Sequence, residues 1–341
     1  MFFTFSGPTE GFTLRARRVR VPAMKPGSFA APALALLTRP ASLAASLAVS
    51  VAALVTACGG SAPNATPQQP TSTTASNATA GAANATAPQK VSDQPPPADT
   101  DGKLKWAIAG HQRTDKEKAR DAYRHPLETL EFFGLKDDMT VVEMWPGGGW
   151  YTEILAPVLR DKGKLIVTTF DAKAENAKAY GDKLAGSPEI YGKVQQQLLN
   201  PPDTLSLGPD GSADMVVTFR NFHNWMEGKF ASKAVAAAFK VLKPGGVFGV
   251  EEHRAAAGAD SSQAAKTGYV PEATLIQIVT TEGFTLDKKS EVNANAKDTK
   301  DYPGGVWALP PVYRNKDVDH AKYEAIGESD RMTLRFVKPL K

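Results

Sequence analysis

Hydrophobic and polar positions divide the 341 residues into three stretches of different character. From Leu34 to Cys58 the chain is almost continuously apolar, with Arg39 its only charge. The next stretch, to residue 102, is dominated by Ala, Thr, Pro, Asn, Gln and Ser, with no aromatic residue and no periodic apolar face. Beyond it, short apolar runs alternate with amphipathic ones, as when strands alternate with helices. Thr140 to Met144 predicts a buried strand, Tyr151 to Leu159 a helix and Gly163 to Phe170 a second strand, which together form a βαβ unit. Met215 to Phe219, the "KPGGVFGVEEH" stretch ending at His253, Phe284 to Lys288 and Arg331 to Val337 predict further strands. Helices are predicted over Phe230 to Leu242 and Pro271 to Thr281. Upstream, Leu127, Leu130 and Phe133 recur three apart; Pro126 separates two helical pieces and Gly134 closes the second. The economical architecture is one α/β domain of about 225 residues.

The first stretch changes the picture of where that domain resides. Its apolar core after Pro40, about 17 residues long, has the length of a signal-peptide h-region and barely that of a membrane span. It resembles a bacterial lipoprotein signal: Val55-Thr56-Ala57-Cys58 matches a lipobox, and Cys58 is the single cysteine of the chain. The resemblance implies a lipid on Cys58, a membrane anchor through it and, because Gly59 rather than aspartate follows, the outer membrane facing the periplasm. Met24 is a candidate start, since Lys25 and Arg39 then supply the basic n-region; without use of the signal the protein would be cytoplasmic. Residues 1–57 are thus expected to be a signal segment. Residues 58–102 read as a disordered tether, too polar to offset the entropy of ordering. Residues 103–341 remain as the folded domain. Net charge is +5, −2 and +1 over these three segments, so the overall +4 belongs mostly to the signal and gives no case for a nucleic-acid partner.

Candidate chemistry concentrates at the ends of the strands. Gly147, Gly148 and Gly149 follow the first strand, where glycines permit a tight turn and close approach of a ligand to the backbone. Asp171 lies beyond the second strand, placed to accept hydrogen bonds from ribose hydroxyls. Thr152 stands where a G-x-G-x-x-G dinucleotide fingerprint needs its last glycine, and no Gly-Lys-Ser/Thr follows to make a phosphate loop.

These residues resemble a class I S-adenosylmethionine-dependent methyltransferase, in particular a narrower group of methyltransferase-like proteins that are secreted or lipid-anchored in bacteria. Glu143-Met144-Trp145-Pro146-Gly147-Gly148-Gly149 corresponds to the acidic glycine loop, Asp171 to the ribose-binding acid and Lys243-Pro244-Gly245-Gly246 to the turn before the fifth strand. "FRNFHNW", 219 to 225, and "GESDR", 327 to 331, resemble motifs of the narrower group. The resemblance covers about residues 110 to 339. It implies a Rossmann-like class I methyltransferase fold: a seven-stranded, mostly parallel sheet with helices on both faces. It also implies S-adenosylmethionine as cofactor, with Glu143 facing its amino-acid part, the glycine loop beneath it, and Trp145, Arg220 and Asn221 nearby. Trp145 departs from the glycine usual at its position, and its ring bears on how much room a ligand has.

In this fold the fourth and fifth strands are neighbours, so "TFRNFHNW" and "VEEHR" would meet over the cleft. His223 is the candidate general base, with Glu251 or Glu252 to orient it or to hold a substrate amine, and His253 as a second candidate. Strand alternation leaves only one of the two glutamates facing the cleft. Arg124, Trp225, Arg254 and Trp307 are candidate substrate contacts; His111, Arg124 and His125 belong to a predicted N-terminal helical lid. Trp225 and Arg254 also admit structural readings, as core cover and surface ion pair. Tyr302, Trp307, Leu309 and Tyr313 wall the acceptor site or form a satellite core, and His320 sits on a solvated face. No H-E-x-x-H or cysteine cluster points to a metal.

Methyl transfer to a small molecule is the function these features favour. An envelope lipoprotein binding another metabolite in the same cleft, and an isomerase or lyase of this fold, are the alternatives. The acceptor and the oligomeric state are not encoded in any motif of the chain.

Overall fold

The computed structural model describes residues 90–169 and 175–341; the signal segment, Cys58, most of the tether and Asp171 lie outside them. Its centre is a seven-stranded sheet of β1 (Thr140–Met144), β2 (Lys164–Thr169), β3 (Gln195–Leu198), β4 (Ala213–Phe219), β5 (Leu242–His253), β6 (Thr285–Ser290) and β7 (Arg331–Val337). Their order across the sheet is β3-β2-β1-β4-β5-β7-β6. β1 to β5 run parallel, and β7 is inserted antiparallel between β5 and β6. The order reverses between β1 and β4, which opens a crevice at their carboxyl ends. Register brings Met144 level with Thr168 on β2 and Thr218 on β4, so the three strand ends form one rim.

Alternation along the strands supplies two cores. Val142, Met144, Val216, Phe248 and Val250 pack on one face with Ala234, Val235 and Ala238 of the helix Ala231–Val241 and Leu275 and Val279 of the helix Glu272–Thr281. Val141, Met215 and Val217 point to the other face, against the helices Thr100–Ala109, Pro126–Phe133 and Thr152–Leu159. Burying these side chains is the main stabilising term, each worth about 1.5 to 3 kcal/mol.

The structure differs from the sequence pattern in three places. The packed domain reaches back past residue 103: Asp99 caps the helix Thr100–Ala109, and Val91 is buried with its carbonyl accepting from the His111 amide at 2.6 Å. "KPGG" lies within β5 rather than before it, as an irregularity where the β4–β5 register shifts and Gly245 takes φ +79°. The edge strand β3 carries no apolar run and was not legible in the pattern. N-terminal to the sheet, short helices Asp115–Lys118 and Asp121–Arg124 precede Pro126–Phe133, with His125 at φ +38° as the corner before Pro126. Among the described residues no helix is long and apolar enough to cross a membrane.

Candidate active site

The rim of β1 becomes a ligand cradle through its turn. Trp145 leaves the strand at φ +52°, a left-handed conformation that costs a bulky residue about 1 to 2 kcal/mol. Its ring is 5 % exposed and packs on Trp225 and Phe230, with centroids 4.9 and 6.1 Å away. The ring therefore belongs to the core and does not cover the turn. Gly147, at φ +59°, and Gly148 are open: a Cβ built on either meets nothing within 4 Å. Lys183 donates to the Gly148 carbonyl at 2.8 Å and pairs with Glu153, which fixes the far side of the turn.

Beneath the turn, Glu143 is 1 % exposed and accepts from Thr152 Oγ1 at 2.6 Å, with the Tyr180 hydroxyl 3.0 Å from the same oxygen. Burial raises its carboxyl to about 7, opposed by the Thr152 hydrogen bond. The acid expected to face a cofactor thus also anchors the start of the following helix. The open cradle with a buried acid that ionises near neutrality fits a ligand carrying an ammonium group; the partner expected for its ribose, Asp171, lies outside the described residues.

A second region adjoins the first. Asn221 Nδ2 donates to the carbonyls of Met144 and Trp145 and to Thr218 Oγ1, each at 3.1 Å, locking the end of β4 to the glycine turn. Its neighbours Arg220, at φ +59°, and His223 open onto a cavity of about 280 Å³, whose wall also includes Arg120, Arg124, His253, Trp307 and Ser329. Left-handed non-glycine residues at the ends of both β1 and β4 place stored backbone strain at this crevice.

His223 is held by Glu252. The carboxylate accepts from His223 Nδ1 at 3.0 Å, from the amides of Phe222 and His223, and from the His253 amide at 2.8 Å. A carboxylate partner assigns the proton to Nδ1 and leaves Nε2 as the acceptor edge. His253 places Nδ1 2.5 Å from Ser329 Oγ, with its ring centroid 5.6 Å from that of His223. Burial, with repulsion from His223, Arg220 and Arg331, holds its pKa well below the ordinary histidine value. Glu251 faces the opposite side of β5, where it binds Tyr151 Oη, Arg220 and Arg331. Neither glutamate lines the cavity, so the expectation that one of them faces the cleft is corrected: both support it from behind.

His223, Glu252 and His253 also stand within 4.8 Å of one another, close enough to hold a metal ion. Both Glu252 oxygens are already occupied by N–H donors, and each histidine commits Nδ1 elsewhere. The contact with Glu252 fixes the orientation of the His223 ring.

The remaining expected residues divide. Arg124 lines the cavity, bonds Glu328 and lies over the Trp150 ring at 4.8 Å; Trp307 also lines the cavity. Trp225 is core, wedged between Trp145 and Phe222, and is no substrate contact. Arg254 points away from the cavity and is engaged by Glu291, Asp330 and Glu272, which corrects its substrate reading. His111 is exposed and does not reach the cavity, while His125 faces Asn293 across a separate pocket of about 180 Å³. Tyr302 and Leu309 form a small core with Tyr323, and the exposed His320 stacks on Tyr313. Arg120 was not singled out by the sequence. Its Nε meets Glu328 Oε1 at 2.6 Å, so the "GESDR" stretch was the available signal.

Strand order and the antiparallel β7 are those of the Rossmann-like class I methyltransferase fold. Residues 143–250 match the family model described as a methyltransferase domain, spanning the glycine turn to β5. No curated protein matches the sequence. Among solved structures, a SAM-dependent methyltransferase from Aquifex aeolicus shares 17 % identity over 66 % of this chain and 100 % of its own, with a TM-score of 0.43. The 4+2 cyclase SpnF shares 17 % identity over 64 % of this chain and 81 % of its own, with a TM-score of 0.46.

Proposed function

We propose that the domain binds S-adenosylmethionine at the glycine turn and directs methyl transfer to a small-molecule acceptor in the adjoining cavity. The observation that carries this reading is the open backbone at Gly147 and Gly148 joined through Asn221 to a cavity that holds an oriented histidine. The cofactor, when bound, supplies a methyl group on a sulfonium sulfur. Gly147 and Gly148 would admit it to the backbone, Glu143 would receive its ammonium group, and Asp171 would accept from its ribose hydroxyls. On transfer the methyl's bond to sulfur would break and the cofactor would leave as the thioether; His223 Nε2 would take the proton of the acceptor, and Glu252 would stabilise the imidazolium so formed. Glu251 and Arg331 position Arg220 and the floor beneath it.

Calorimetric titration of the full chain with S-adenosylmethionine tests the reading. Saturable binding, weakened in Asp171→Ala by the loss of charge-assisted hydrogen bonds worth about 1.5 to 3 kcal/mol each, is expected. No heat at millimolar ligand sinks it. The lipobox supports placing this activity at the cell envelope. Incorporation of labelled palmitate into the wild type and not into Cys58→Ser is the corresponding check.

A further inference from the structure

The cavity beside the glycine turn carries an uneven charge balance. Arg120, Arg124 and Arg331 share Glu328, and Arg331 shares Glu251 with Arg220. Four guanidinium groups thus meet two carboxylates directly, and even with Glu252 counted as a third, its hydrogen bonds going to backbone amides and His223, the cations are in excess. Water would normally solvate the surplus, but Arg124 and Arg331 are nearly inaccessible. The accessible cations are Arg120 and Arg220, with side chains 21 % and 20 % exposed. Each spends a single N–H on protein: Nε of Arg120 on Glu328, and Nη1 of Arg220 on Glu251 at 3.3 Å. Among the described residues nothing accepts from the Nη atoms of Arg120 or from Nε and Nη2 of Arg220. Burial, with repulsion from Arg220 and Arg331, disfavours the charge on Arg120 and outweighs the opposing attraction of Glu328.

The rest of the wall is flat and apolar or neutral. Trp307, Val306, Pro310 and Pro311 line the same cavity as the arginines, and His223 meets the Trp307 ring edge-on at 5.8 Å. We propose that this cavity selects its acceptor as an anion: a planar hydroxycarboxylate whose carboxylate takes the unspent N–H groups of Arg120 and Arg220, and whose hydroxyl meets His223. Guanidinium forks match carboxylate geometry, and a carboxylate here restores the missing negative charge. Among the described residues the one carboxylate on the cavity lining is Glu328, and it is already shared by Arg120, Arg124 and Arg331, so a cationic ligand finds no unpaired acid there. The inference rests on the methyl-transfer reading for the role of the hydroxyl, and on the arginines alone for the charge of the ligand.

The test compares para-hydroxybenzoate with its neutral twin para-hydroxybenzamide on the full chain, by tryptophan fluorescence, with S-adenosylhomocysteine titrated separately. The acid is expected to bind at least tenfold tighter than the amide, with an affinity that falls as chloride rises while that of the amide does not. Arg120→Gln is expected to abolish the preference with less than twofold change for S-adenosylhomocysteine, Arg220→Gln to abolish it as well, and Arg220→Lys to restore part of it. The salt comparison uses the wild type and stands even if a variant fails to fold. Equal binding of acid and amide, or no binding of the acid, overturns the proposal. Loss of S-adenosylhomocysteine affinity in step with that of the acid also overturns it, by showing that the arginines hold the cofactor's own carboxylate. Arginine-dependent binding of the acid with no binding of S-adenosylhomocysteine upholds the anion site and removes the methyl-transfer reading.

Discussion

The glycine turn and the arginine-lined cavity lie against each other but are built on opposite plans. The turn is made by seven consecutive residues and offers a ligand mostly backbone; its one acid, Glu143, is buried and bonded to Thr152. The cavity is assembled from segments about two hundred residues apart, as in the Arg124–Glu328 pair, and offers mainly side chains, charged, aromatic and apolar together. A local backbone device suits a ligand that is always the same. A dispersed side-chain device can be retuned one substitution at a time, which suits an acceptor that differs from one member of a fold to another. Experiments that separate the two plans are therefore the informative ones.

The largest separation is expected from His223→Ala. Removing a positioned general base lowers turnover by about 100-fold to 10,000-fold. Because His223 touches neither Glu143 nor the glycine turn, cofactor affinity should stay within about twofold. Label passed from methyl-labelled cofactor to acceptor measures the first quantity and calorimetry the second. Turnover that survives intact makes His223 a structural residue. Glu328→Gln acts on the same region through stability. It leaves Arg120, Arg124 and Arg331 sharing a neutral amide, and breaking a buried ion cluster in this way costs about 3 to 5 kcal/mol. Urea midpoints of variant and wild type check it; an unchanged midpoint would mean that the network is not closed in solution.

The two plans also differ in how much of them the sequence discloses. β1, β4 and β5 announce themselves because burial on both faces demands apolar runs, β7 by its alternation of apolar with Arg and Thr residues, and the glycine turn because its residues are contiguous. β3 is Gln195-Gln196-Gln197-Leu198, an exposed edge with no face to hide, so no period marks it. The helix Thr100–Ala109 commits few residues to the core and begins inside a proline-rich stretch that reads as tether. At the cavity, His223 and its glutamate partner follow from the adjacency of β4 and β5. The pairing of Arg120 and Arg124 with Glu328 does not, because nothing in the chain states which distant charges share a cluster. Trp225 and Arg254 illustrate the same gap: each has the chemistry of a contact residue, and only packing decides that one fills the core and the other binds three carboxylates.

On the turn side, pH is the sharper instrument. The carboxyl of Glu143 titrates near 7 in the fold against an ordinary 4.5, raised first by burial. The folded state therefore holds a proton that the unfolded chain gives up. This group costs no stability below about pH 4.5, and the cost grows through the window to about pH 7, reaching about 3 kcal/mol above it. Glu143→Gln should remove the slope: equal urea midpoints near pH 4.5, and a variant more stable than wild type at pH 8. Cofactor affinity should move the other way in the wild type, rising through pH 7 as the carboxylate becomes available to an ammonium group, and staying flat in the variant. A slope that persists in Glu143→Gln assigns the titration to another group.

The smallest expected effect on the fold is the most direct probe of the turn. Gly148→Ala adds a methyl group at a position without positive φ, where the new carbon meets no protein atom within 4 Å. Its stability should match wild type within about 0.5 kcal/mol, as for a surface substitution that disturbs no partner. If a ligand lies on this backbone, the same methyl group stands in its path. Cofactor affinity should then fall by tenfold or more while the urea midpoint and para-hydroxybenzoate binding are unchanged. Gly147→Ala, at φ +59°, would confuse steric exclusion with backbone strain, so Gly148 is the position that isolates the contact. Undiminished cofactor affinity in Gly148→Ala would place the ligand away from the turn, and leave the cavity as the only part of the crevice with a claim to bind anything.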